Sequence, residues 1–176
     1  NKANMHSTGT KGTGKGKRRQ EFTKEADNRE HIGVGFCYKN KLEKARLMYK
    51  QVDGRNILLS FRTNGPPLVL LNVNAPQQGR PPIERISFFD KLDEQIQQIQ
   101  THNNLIVLGD MNARLHGKYG HEGDVLGRYV FGRGTAFLDH RNNEHSIFNR
   151  DLLIQLAKTN DMKFKNTYFN KRNDQL

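Results

Sequence analysis

At 176 residues the chain is long enough for one domain with a core and too short to argue for two. A net charge of +11 and an isoelectric point near 9.9 favour an acidic partner, of which nucleic acid is the commonest, the plain alternative being a solvated basic tail. The single cysteine, Cys37, excludes an internal disulfide framework and suits a reducing compartment; no apolar run approaches the roughly 20 residues of a membrane helix and no signal peptide is visible, so an intracellular protein without a membrane anchor is expected.

Residues 1–30 hold no Ile, Leu or Val and carry KGTGKGKRRQ, a Gly- and Lys/Arg-rich tract that buries too little apolar surface to offset the entropy of ordering it. This segment is expected to be disordered, and residues 31–176 to form the domain. IGVGFCY at 32–38 reads as its first strand, with glycines at 33 and 35 that suit close backbone approach. Asp53-Gly54 is a plausible hairpin turn, and NILLSFR (56–62) and LVLLNVNA (68–75) are apolar runs joined by TNGPP, a second hairpin.

From Ile83 to Ile99 the apolar residues fall at 83, 86, 89, 92, 96 and 99, the spacing of an amphipathic helix resting on a sheet. NLIVLGD at 104–110 follows as a strand, so residues 68–110 form a strand, helix, strand crossover that sets two strands parallel. Their carboxyl ends share one edge of the sheet, where ligand sites gather. The glycine-rich stretch 113–148 reads as surface loops with one short strand at GRYVFG. Asn149 is expected to cap a helix over RDLLIQLAKTN, and MKFKNTYF at 162–169 to form a last alternating strand.

The chemistry-bearing residues collect at that carboxyl edge. On an extended strand residues two apart point the same way, so Asp110 and Asn112 are expected to project together. A carboxylate can take a proton from water or hold a hard cation, and a carboxamide can orient a phosphate oxygen. NVNAP brings Asn74 to the same edge, and Arg80 follows as a phosphate-binding candidate. Taken alone, Asp and Asn after a strand are also ordinary turn formers.

GDMNARL at 109–115, preceded by LIVL, resembles the Gly-Asp-Phe-Asn segment of the endonuclease/exonuclease/phosphatase superfamily, the DNase I-like group. GVGF at 33–36, DGRNILLSF at 53–61, LLNVNAP at 70–76 and NRDLLIQLAKTNDMKFKNTYF at 149–169 occur in the order found in endonuclease domains of non-LTR retrotransposons and their domesticated, craniofacial development protein 2-like relatives. The resemblance spans about residues 32–170. It implies an α/β fold, the DNase I-like four-layer αββα sandwich, here incomplete in its first and last strands. It also implies a metal-dependent phosphodiesterase, a DNA endonuclease using Mg²⁺ or Mn²⁺, nuclear if derived from a retroelement.

Carried over by resemblance, Asp110 activates or orients the attacking water, Asn112 steadies the scissile phosphate, and both lie close to the metal. Asn74 stands where the family usually has Tyr or His. Arg80 and Arg114, with Arg128, Arg133 and the basic tail, are expected to contact the nucleic-acid backbone without reading sequence. The family's metal-binding Glu would precede Ile32, where Glu21 and Glu25 lie in a tail without strand pattern and are set aside. Its terminal Asp-His pair would lie well beyond NTYF, so a fragment cut at both ends is expected.

Other groupings rank lower. Asp139-His140 precedes the NTYF segment instead of following it, His116, His121 and His145 near Glu122 and Asp124 lack tight zinc spacing, and the Gly-X-Gly stretches at 12–16 and 132–134 do not follow a strand and open a helix. The remaining alternatives are an inactive remnant that at most binds nucleic acid, and a superfamily member acting on RNA or a phospholipid.

Overall fold

The computed structural model describes residues 19–23, 33–115, 118, 120–130 and 148–170, the first of these segments as backbone only. Glu25, His116, Arg133, Asp139, His140, His145 and both Gly-X-Gly stretches lie outside the described residues. The protein is mixed α/β. Strands β1 (Arg19–Thr23) and β2 (Gly35–Lys39) form an antiparallel pair, and β3 (Arg46–Gln51), β4 (Asn56–Phe61), β5 (Leu68–Asn74) and β6 (Asn104–Asp110) form a four-stranded sheet in that order. Helix α1 (Pro82–Gln97) and helix α2 (Asn149–Thr159) complete it. No helix among the described residues is long and apolar enough to cross a membrane.

Both hairpins form where turn chemistry placed them. Between β3 and β4 the Asp53 carboxylate accepts the Arg55 backbone N–H at 2.7 Å, and between β4 and β5 the Thr63 hydroxyl donates to Pro66 O at 2.8 Å. The crossover also forms: β5 and β6 are parallel, with Asn74 opposite Asp110.

Strand β4 is buried along its whole length because both faces of the sheet are covered. On one face Leu58, Val69, Leu71 and Val73 pack against Phe88, Phe89, Leu92 and Ile96 of α1 and Leu153 and Leu156 of α2. On the other face Tyr38 of β2 packs with Leu59 and Phe61, its ring edge-on to Phe61 with centroids 5.3 Å apart. Asn72 also donates to Gly35 O at 2.8 Å across this layer. Full burial of Leu71 and Leu92, both at 0% exposure, contributes about 1.5–3 kcal/mol per side chain.

Four local expectations are corrected. Residues 19–23 pair with β2, Glu21 opposite Cys37, because a ladder needs only backbone N–H and C=O groups and no apolar pattern. Helix α1 buries Phe89, Leu92 and Ile96 of the expected stripe and widens it with Phe88 and Arg85, but leaves Ile83 74% exposed. MKFKNTYF is not a strand: Phe164 makes one isolated bridge to Leu126, after which Thr167 turns back, its hydroxyl donating to Phe164 O at 2.6 Å and closing a 3-10 turn over Lys165–Thr167. No strand forms at 127–130 either; there Gly127 and Tyr129 donate their backbone N–H groups to Thr167, at 2.7 and 2.9 Å.

Candidate functional site

The parallel ladder runs to the last residue of β6. Beyond it Ala75 N–H still donates to Asp110 O at 2.8 Å, so the two strand-end loops leave the sheet side by side. Asn74 and Asp110, being paired residues on neighbouring strands, share the face that carries Leu70 and Asn72.

Gly109 has φ +123°, and a Cβ there would stand 2.0 Å from Val73 O, so only glycine fits before Asp110. Asn112 follows in the left-handed region at φ 45°, its backbone N–H donating to Asp110 Oδ1 at 2.8 Å. This Asx turn corrects the expected geometry, since the strand ends at Asp110 and alternation cannot aim Asn112. The turn places Asp110 and Asn112 on the wall of one pocket. The Asn112 amide donates through Nδ2 to Ala75 O at 2.7 Å, which ties the β6 loop to the β5 loop.

The pocket, about 500 Å³, is lined by Gln77, Gln78, Asp110, Asn112, Ala113, Arg114 and Phe148. Asp110, Asn112 and Arg114 thus line one pocket; Asp110 and Asn112 were expected together, and Arg114 beside them was not. Asn74 is half-buried one strand away and outside the lining, with its backbone carbonyl accepting from Arg55 at 3.3 Å. Arg80 is exposed and also outside the lining; its backbone carbonyl accepts the Arg85 Nε–H at 3.0 Å. Gln77, Gln78 and Phe148 were not anticipated. The polar doublet after the NVNAP strand end was the one signal in sequence that pointed to the glutamines.

Asn149 does not cap its helix. Phe148 occupies the cap position, and the fully buried Asn149 amide instead donates to Pro76 O at 2.8 Å and Asn112 O at 3.0 Å. Its Oδ1 accepts from Arg85 at 3.3 Å, and its backbone N–H donates to Gln78 Oε1 at 2.9 Å. Burial lowers the Arg85 guanidinium from its ordinary value. The amino end of α2 reaches this edge, and its dipole favours negative charge there.

Among the described residues no group of three His, Cys, Asp or Glu side chains could hold a metal. Glu122, weighed as a zinc ligand, is instead buried with both oxygens on Arg150 at 2.7 Å. At the pocket the donors are the Asp110 carboxylate, whose Oδ2 makes no hydrogen bond among the described residues, and the Asn112 side-chain oxygen. Such an all-oxygen set with one carboxylate fits Mg²⁺, which keeps several waters and is held by one or two carboxylates together with substrate phosphate.

A carboxylate, carboxamides and a guanidinium on one open pocket can orient water, bind a phosphate oxygen and neutralise its charge. The chain matches no protein-family model and no curated protein, so its own residues carry the functional reading.

Proposed function

We propose that the protein is a metal-dependent phosphodiesterase acting on nucleic acid, a retrotransposon-type DNA endonuclease domain with a DNase I-like architecture. The observation that carries this reading is the Asp110–Asn112 turn at the carboxyl end of a parallel strand pair, opening on a pocket that also holds Arg114. The order of segments that resembles those endonucleases supports it, as does the +11 charge.

In this mechanism Asp110 orients the attacking water and accepts its proton as the new P–O bond forms, while the P–O bond to the departing sugar oxygen breaks and that oxygen takes a proton from solvent. The Asn112 amide steadies the scissile phosphate, and Arg114 holds a neighbouring phosphate by its guanidinium. Asn74 holds the position of the family's phosphate-orienting side chain but lies outside the pocket lining, so no step is assigned to it. Asp110 and Asn112 would hold Mg²⁺, which when bound supplies charge neutralisation at the phosphate.

A second reading, a nucleic-acid-binding module without hydrolysis, is favoured by one observation: the pocket lining contains a single carboxylate. Plasmid nicking separates the two. The endonuclease reading expects nicking with Mg²⁺ that chelator abolishes and that Asp110→Asn lowers about 100-fold or more. Binding without nicking, or nicking that survives in Asp110→Asn, sinks it.

A further inference from the structure

We infer that Asn149 is the positioning residue of this pocket: one buried carboxamide cross-links both strand-end loops and holds the Asx turn that aims Asp110 and Asn112. Every hydrogen bond of its side chain goes to the site's own frame. Nδ2 donates to Pro76 O on the β5 loop and to Asn112 O on the β6 loop, and Oδ1 accepts from Arg85 at the start of α1. Its backbone N–H holds Gln78 Oε1, so two residues of the pocket wall, Asn112 and Gln78, take their placement from it.

The tie acts on the backbone of the turn. Asn112 sits at φ 45°, in the left-handed region that Asn enters more readily than other side-chained residues, and its hydrogen bonds select that conformation from those open to it. Its N–H is fixed by Asp110, its side chain by Ala75 O and its carbonyl by Asn149, so three restraints converge on one residue. The Asp110 side chain is exposed and makes no other hydrogen bond among the described residues, so its orientation depends on that turn. Asn149 therefore acts on the chemistry through Asn112 and Asp110 without touching substrate. The catalytic half of this inference rests on the phosphodiesterase reading; the structural half does not.

The test uses the full chain with Asn149→Asp, which keeps the shape and the Arg85 partner but replaces both donations by oxygen facing oxygen. Asn149→Ala removes the donations without adding charge. Two readouts are taken on each: amide hydrogen exchange at Asn112 compared with Leu59 in β4, and the rate of Mg²⁺-dependent plasmid nicking resolved into kcat and KM.

The expected result is exchange at Asn112 faster by about tenfold or more with Leu59 unchanged, and kcat lower by about 10- to 100-fold with KM unchanged. Unaltered exchange at Asn112 in a folded variant overturns the inference, as does a loss confined to KM. Unfolding of both variants overturns it too, because Asn149 would then serve global stability. If the unaltered protein does not nick, the phosphodiesterase reading fails, and exchange at Asn112 alone decides whether Asn149 sets the turn.

Discussion

Two consecutive residues, Asn149 and Arg150, open the same helix and do opposite work. Arg150 points into a buried cluster where its two terminal nitrogens meet both oxygens of Glu122, each at 2.7 Å. Near them Val125, Leu126, Ile154 and Ala157 form a small apolar core. Asn149 points to the strand ends, where its partners leave one carboxylate oxygen and one carboxamide oxygen uncommitted beside an open pocket. The contrast separates structural charge from chemical charge. A bidentate pair out of water is closed to a ligand by its burial, whereas Asp110, exposed and engaged through one oxygen, is open to one.

Breaking the buried side should give the largest effect. Glu122→Gln takes the bidentate partner from the buried Arg150 guanidinium, leaving the exposed Asp151 carboxylate at 3.8 Å, and is expected to lower unfolding free energy by about 3 kcal/mol, measured by denaturant melts. The same isosteric change at the exposed side, Asp110→Asn, should shift stability by less than about 1 kcal/mol while removing activity. If the two variants melt alike, the division between the regions is wrong.

Arg114→Ala sharpens the pocket side alone. Loss of one phosphate contact should weaken nucleic-acid binding uniformly across sequences and reduce the salt slope of the binding constant by about 1. An unchanged slope would place Arg114 outside the nucleic-acid path.

The smallest effect concerns neither region but the far face of the sheet. Tyr38 is pushed up to about 12 by burial and then by its 2.6 Å hydrogen bond to Glu43, whose carboxylate is held down by Arg46 and by Tyr38 itself. A folded value above the ordinary 10.0 means that this contribution to stability is complete below pH 10 and is lost as pH rises through about 12. Phenolate absorbance should accordingly show Tyr38 titrating late, with Tyr49 also delayed by its burial, and Tyr38→Phe should flatten the alkaline end of the stability profile.

Much of the frame was legible because it rests on local rules. Asp53-Gly54 and TNGPP turned as their residue types require. The apolar period between Ile83 and Ile99 made a helix, and a crossover between two strands leaves them parallel, so Asn74 and Asp110 arrive side by side. The pairing of Asp110 with Asn112 was legible too, though for a different reason from the one offered: a left-handed turn, not strand alternation, brings them together.

What sequence alone could not decide is which polar residue meets which. Asn before an apolar helix reads as a cap, yet Asn149 meets Pro76 and Asn112 because α2 docks its first residue against the strand ends, where buried carbonyls need a donor. Glu122 beside histidines reads as a ligand until Arg150 takes both its oxygens. The alternation of 162–169 looks like a strand, but Thr167 closes a turn and a Cβ at Gly127 would stand only 2.2 Å from its carbonyl. The strands and helices follow from turns and periodicity, which are properties of neighbouring residues. The site's internal order follows from hydrogen bonds between residues far apart in the chain, and only the packed structure brings those donors and acceptors within reach.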